Sequence, residues 1–173
     1  MVRKLGIAVA VVTTLVLTLS VASAATVVFN PAAAPNGTHV QTGTPDCTVS
    51  GNTVTCSSYE LAGVGNNNAQ ATLTASYSAT VDCTNNGGKL VLVKSTLQTA
   101  PNSTGDLEAK NGRLAVPALV GPGAPSAQSF LDAASCPNGN WTKSLASGTP
   151  TLESWMYTLT FVGYNAPYIT ITP

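Results

Sequence analysis

Between Ala71 and Cys83 apolar and polar residues alternate without interruption. Ala71, Leu73, Ala75, Tyr77, Ala79, Val81 and Cys83 fall on one parity, and Thr72, Thr74, Ser76, Ser78, Thr80 and Asp82 on the other. Successive side chains of a strand point to opposite faces, whereas a helix groups positions three and four apart. A two-residue period held this long therefore predicts a strand with one buried and one wet face. Its backbone N–H and C=O groups need partners, so other strands must flank it.

Such strands are legible along the chain. Residues 25–30 read as a short first strand, stopped by Asn30-Pro31, and residues 31–45, rich in Pro and Gly, read as loop. Cys47 to Cys56 is symmetric about Gly51-Asn52, the pattern of a tight hairpin, and Tyr59 to Gly63 reads as an extension of its second arm. Gly65-Asn66-Asn67-Asn68 and Asn85-Asn86-Gly87-Gly88 are turns on either side of the alternating strand. Lys89 to Gln98 returns, with Val91, Val93 and Leu97 inward and Leu90 and Leu92 outward. A one-residue slip would reverse those faces. Leu107 to Val116 is a second hairpin around Asn111-Gly112, a pair that tolerates φ > 0 at both turn positions. Residues 117–125 read as loop. Ser126 caps one short helix near residues 127–135, with Phe130, Leu131 and Ala134 as its apolar stripe. Leu152 to Val162 alternates again, burying Trp155, Tyr157, Leu159 and Phe161, and Tyr168 to Thr172 ends the chain as a strand. About eight strands with frequent turns and one helix predict an all-β fold, an antiparallel immunoglobulin-like β-sandwich.

The N-terminus predicts where such a domain works. Arg3-Lys4 precede a stretch from Ile7 to Leu19 that is apolar apart from small Thr residues, and Ala22-Ser23-Ala24 has the A-x-A form. These are the parts of a secretory signal peptide, residues 1–24, cleaved after Ala24. The uncharged run from Leu5 to Ala25 is also just long enough to span a bilayer uncleaved. The short apolar core and the small-residue site favour cleavage. Residues 25–173 then form a single secreted domain with no membrane attachment.

Cys47, Cys56, Cys83 and Cys136 are the four cysteines. In an oxidising compartment an even number predicts two disulfides, for which three pairings exist. The hairpin register distinguishes them. A two-residue turn at Gly51-Asn52 puts Cys47 opposite Cys56 at a non-hydrogen-bonded pair, with Cα atoms about 4.5 Å apart. That is within the range of about 4.4–6.8 Å that a disulfide accepts. The same register puts Cys47, Val49, Val54 and Cys56 on one face. Cys83 is left to pair with Cys136.

Composition removes several functions. Seven Lys+Arg balance seven Asp+Glu, and charged residues are only 8% of the chain. That lacks the basic footprint of a nucleic-acid binder. A hydrophobic content of 44% is too high for a disordered chain of low hydropathy and high charge. Removing Arg3 and Lys4 leaves five cations against seven anions, a mildly acidic mature domain. His39, the one histidine, sits in a Gly/Thr/Pro segment, and no G-x-S-x-G accompanies it, so it reads as an exposed loop residue. Asp106 and Glu108 share a strand face near Lys110 and Arg113 and read as a solvated rim rather than a glycosidase pair. No C-x-x-C and no acidic run suggests a metal, and no cofactor is expected. Trp155 and Tyr157 read as core. Tyr164 and Tyr168 flank a turn and are the candidate ligand contacts, an exposed pair able to stack on a sugar or apolar ligand. Asn36-Gly37-Thr38, Asn102-Ser103-Thr104 and Asn140-Trp141-Thr142 match the glycosylation triplet, which arises easily in a Thr/Asn-rich chain.

The Ala-rich leader, the cross-hairpin Cys47–Cys56 pattern, the Ala71–Cys83 strand and the Trp155–Pro173 segment together resemble small exported Cys-bridged β-sandwich proteins of unassigned function from high-GC Gram-positive bacteria. A second likeness is to the neocarzinostatin-type apoproteins, exported sandwiches with two disulfides, one of them bridging a hairpin. In that family the second bridge spans a very short loop, unlike Cys83 and Cys136 here. These features lead to the expectation of a secreted, non-enzymatic binding or cell-surface interaction module. Its partner would be a cell-wall, protein or small-molecule ligand. A carrier of a small apolar ligand and a secreted protease inhibitor, presenting residues 57–69, are the alternatives.

Overall fold

A computed structural model describes residues 25–173, so the expected signal peptide and its cleavage lie outside the described residues. The strands are β1 (Thr26–Phe29), β2 (His39–Gly43), β3 (Cys47–Ser50), β4 (Thr53–Cys56), β5 (Tyr59–Ala62), β6 (Ala69–Thr84), β7 (Leu90–Gln98), β8 (Asn102–Ser103), β9 (Arg113–Val116), β10 (Leu119–Val120), β11 (Thr142–Leu145), β12 (Thr151–Phe161) and β13 (Ile169–Thr172). A 3-10 turn, Pro31–Ala33, and one helix, α1 (Ala127–Ala133), complete the secondary structure of the described residues. The fold is all-β, and the strands pair antiparallel in one seven-stranded and two three-stranded sheets.

β6 is the alternating segment, and it is paired along both edges. On one edge β12 runs from Phe161 opposite Ala69 to Thr151 opposite Ser78, and β11 continues in line from Leu145 opposite Val81 to Thr142 opposite Thr84. The N–H of Ala146 still donates to the C=O of Thr80 (2.9 Å), and residues 147–150 leave the sheet between them. On the other edge β7 pairs from Leu90 opposite Thr84 to Gln98 opposite Ser76. The N–H of Thr99 then donates to the C=O of Ala75 (2.9 Å), and β8 and Leu107 carry the pairing down to Ala69. β13 and β1 extend the sheet beyond β12.

The predicted inward face of β6 is the floor of the core. Leu73, Tyr77, Val81 and Cys83 are wholly buried, as are Leu159 on β12 and Ile169 on β13. Val54 and Cys56 of β4, Tyr59 and Leu61 of β5, Leu114 and Val116 of β9 and Phe130 of α1 cluster with Leu73, Tyr77, Leu159 and Ile169, so residues of all three sheets close over one interior, while Val81 and Cys83 pack in a smaller cluster with Ala134. Buried tyrosine hydroxyls tie these layers together. Tyr59 Oη and Tyr157 Oη are 2.9 Å apart. Tyr77 Oη lies 3.0 Å from the C=O of Asn52 and 2.8 Å from that of Pro122, and has one proton to donate. Each phenol thus buries its ring and keeps a partner for its polar tip.

Several expectations hold in detail. The Cys47–Cys56 hairpin has the predicted register, and both disulfides form as assigned. Val49 is nevertheless 47% exposed, on the edge strand β3 next to the turn. In β7, Leu90 and Leu92 do point outward, at 54% and 62% exposure. Asn111 and Gly112 adopt φ values of 52° and 74°, as their turn requires. Ser126 caps α1, its Oγ accepting the N–H of Ser129. The helix stops at Ala133, short of 135, as Ala134 turns extended, and Lys143 Nζ donates to the C=O groups of Leu131 (2.8 Å) and Ala134 (2.7 Å). A cation is favourable at that helix end.

Other expectations are corrected. Among the described residues there are thirteen strands rather than about eight. Residues 31–45 are not all loop, since β2 pairs with β5, and His39 stands exposed on that strand. The approach is close at its start, where a Cβ on Gly63 would lie 2.1 Å from the C=O oxygen of Gly37. β5 does not extend the Cys47–Cys56 hairpin but is the centre of a separate sheet, β2-β5-β9. The N–H of Ser57 returns to the C=O of Asp46 (2.9 Å) and ends the hairpin there. Residues 117–125 contain β10, which covers the edge of β4. Asp106 and Glu108 are exposed and lie outside any strand.

The tyrosine pair makes the fold sensitive to alkali. Burial pushes the Tyr157 hydroxyl up to about 12, and burial followed by the neighbouring Tyr157 pushes Tyr59 up as well. Both hydroxyls are raised in the folded state, so their contribution is full below the unfolded value of about 10 and is lost as pH rises beyond it. Denaturant unfolding should show a midpoint that is flat up to about pH 10 and falls steeply above it. The Tyr59→Phe/Tyr157→Phe variant should flatten that fall, and an identical alkaline decline in both proteins would contradict the assignment.

Candidate functional site

β6 ends at Thr84 and the chain turns at once. Asn85 Oδ1 accepts the N–H groups of Gly87 (2.9 Å) and Lys89 (2.8 Å), so the side chain itself shapes the turn into β7. A second Asn/Gly turn lies between α1 and β11, where Asn138 Oδ1 accepts the N–H of Asn140 (3.1 Å). Two constraints bring the turns together. Cys83 is bridged to Cys136 with Cα atoms 5.8 Å apart, and β11 starts against the end of β6, Thr142 Oγ1 donating to the C=O of Thr84 (3.1 Å).

Between the turns is an open cleft of about 270 Å³ lined by Asn85, Asn86, Gly87, Asn138, Asn140 and Trp141. Trp141 is half-buried and packs on the small apolar cluster of Val81, Cys83 and Ala134. Asn86 and Asn140 are exposed. None of the six lining residues carries a charge, so hydrogen-bonding amides and one indole define the chemistry. A larger hollow of about 470 Å³ lies over β2, β5 and β9, between Thr42, Ser58, Tyr59, Glu60 and Val116. Its one charged group is already paired, with Arg113 Nη1 2.5 Å from Glu60 Oε1. The first cleft is the better candidate because several side chains with free exposure converge on it.

Tyr164 and Tyr168 are not an exposed stacking pair. Tyr168 is 4% exposed, its ring 5.7 Å from that of Phe29 and 5.8 Å from that of Phe161, with its hydroxyl donating to the C=O of Thr38. Tyr164 is half-buried against Phe161. The turn between them folds back over the apolar end of β12, which is why aromatic rings there serve the core. His39 is exposed, with Nδ1 2.8 Å from the C=O of Gly37. Among the described residues no group of three His, Cys, Asp or Glu side chains could hold a metal ion. No helix among them is long and apolar enough to cross a membrane. In the sequence these residues read as a turn, Asn85-Asn86-Gly87-Gly88, and as a glycosylation triplet, Asn140-Trp141-Thr142, rather than as a site, although Asn-Asn follows Cys83 by two positions and Asn-Gly-Asn-Trp follows Cys136 by two. Once those cysteines are paired, the two runs must lie near each other.

The cleft depends on the long bridge. Loop-closure entropy gives about 4.2 kcal/mol for it and about 2.7 kcal/mol for the Cys47–Cys56 bridge. In denaturant unfolding Cys83→Ala/Cys136→Ala should lose more stability than Cys47→Ala/Cys56→Ala. Only the former should shift Trp141 emission to the red in the folded protein. Unchanged emission without the long bridge would show that the cleft does not need it.

No protein-family model, curated protein or solved structure matches this chain.

Proposed function

We propose that the chain is an exported, non-enzymatic binding protein, an immunoglobulin-like β-sandwich whose ligand docks in the cleft between residues 85–87 and 138–141. The observation that carries this reading is the convergence of two Asn/Gly turns and Trp141 on one hollow under covalent restraint. A site held before the ligand arrives loses less entropy on binding. Loops at the end of a rigid sheet scaffold are also where binding residues concentrate. Two disulfides suit an oxidising destination. β1 begins at Thr26, just past the expected cut after Ala24, so cleavage there would spare the sheet.

Immobilised mature protein incubated with culture medium and cell-wall fractions of its host should capture a ligand that Asn86→Ala/Trp141→Ala no longer captures. Mass spectrometry of the eluates checks this. Equal recovery by both proteins would remove the cleft from the function. Turnover in a hydrolase screen, abolished by one point mutation, would overturn the non-enzymatic reading.

A further inference from the structure

We infer that the ligand class of this cleft is a neutral glycan, with one pyranose ring of an oligosaccharide seated on Trp141 between the asparagine amides. The inference rests on the binding reading above. Its first ground is electrostatic. All six residues lining the cleft are uncharged, whereas phosphate and carboxylate ligands are met by Arg or Lys and ammonium groups by carboxylates or aromatic cages. The nearby Lys143 is engaged with the C=O groups of Leu131 and Ala134 at the end of α1.

The second ground is hydrogen-bond matching. A carboxamide carries a donor and an acceptor side by side, and a sugar hydroxyl is itself both. Asn86 and Asn140 are exposed on opposite turns, so their amides can address hydroxyls on two edges of one ring. The Asn85 and Asn138 oxygens are held by backbone N–H groups of their own turns, which fixes their amides. An apolar ligand would strip these amides of water without replacing their hydrogen bonds.

The third ground is Trp141. A pyranose has apolar C–H faces and a polar rim, and an indole offers a broad apolar face with its own polar edge. The indole is braced from behind by the cluster around the Cys83–Cys136 bridge, so it is held in place. The fourth is size. A cleft of about 270 Å³ is at the small end for ligand sites, and it is open to solvent. It suits one ring with the rest of the chain running on outside.

The test titrates mature protein with cellotetraose, the tetramer of N-acetylglucosamine, mannotetraose and maltotetraose, followed by calorimetry and tryptophan fluorescence. Saturable binding of at least one is expected, unchanged in 0.5 M NaCl. Trp141→Ala should weaken it about tenfold, the scale of an aromatic stacking contact. Trp141→Phe should keep most of it. Asn86→Ala, an exposed position, should weaken it severalfold while the thermal melt stays that of the parent. Absence of saturable binding to every neutral tetrasaccharide overturns the inference. So does binding indifferent to both Trp141→Ala and Asn86→Ala, or binding confined to sulfated or uronic glycans and abolished by salt. If the neutral sugars fail while cleft-dependent capture from host fractions persists, the ligand class is wrong and the binding reading stands. If capture is also indifferent to the cleft, both fall.

Discussion

The structure depends on satisfying the backbone of β6. A sixteen-residue strand through the middle of a sheet carries peptide groups that must be paired along both edges or be left buried and unsatisfied. The chain meets this with two lines of strand, β7–β8 on one side and β11–β12 on the other. The first line breaks after Thr99 and again before Leu107, and the second breaks once between β11 and β12, which relieves the demand for two more strands of equal length. The breaks are where turns and excursions leave the sheet. Side-chain sizes follow from the same pairing. On the inward face Ala75 faces Trp155 and Ala71 faces Leu159, so small residues on β6 sit beside bulkier ones on β12, while further along Tyr77 of β6 faces Leu152. Interdigitation of that kind fills a core without cavities.

The candidate site is a consequence of how β6 ends. Its last inward residue, Cys83, is bridged, and the bridge reaches past α1 to the loop that leads into β11. Lys143, opposite Cys83 in the β6–β11 ladder, closes the helix from the other side. The two asparagine turns are thus held by a disulfide, a strand pairing and a capped helix at once. Weakly binding polar groups become useful when they are positioned in advance in this way.

Much of the fold is legible in the sequence where a local pattern and a distant constraint agree. The Ala71–Cys83 alternation, the Cys47–Cys56 symmetry and the Leu152–Val162 run carry their own faces, so strand and inward residues could both be read. β2, β8, β10 and β11 could not. They are short edge segments without apolar alternation, existing because a neighbouring strand had an unpaired edge. Tyr168 misled because a tyrosine beside a turn looks solvent-facing until Phe29 and Phe161 close on it. The cleft was illegible for a different reason: asparagines in turns are first of all turn formers. Only the Cys83–Cys136 pairing places two such turns beside one indole.

Native-state hydrogen exchange of the mature protein tests the central role of β6 most directly. The β6 amides between Ala71 and Cys83, bonded alternately toward β12 and toward β7, should exchange last and only through global unfolding. Amides of β2 and β10 should exchange earlier, through local opening. If β6 amides exchanged as readily as those of β2 or β10, the fold would not be organised on that strand.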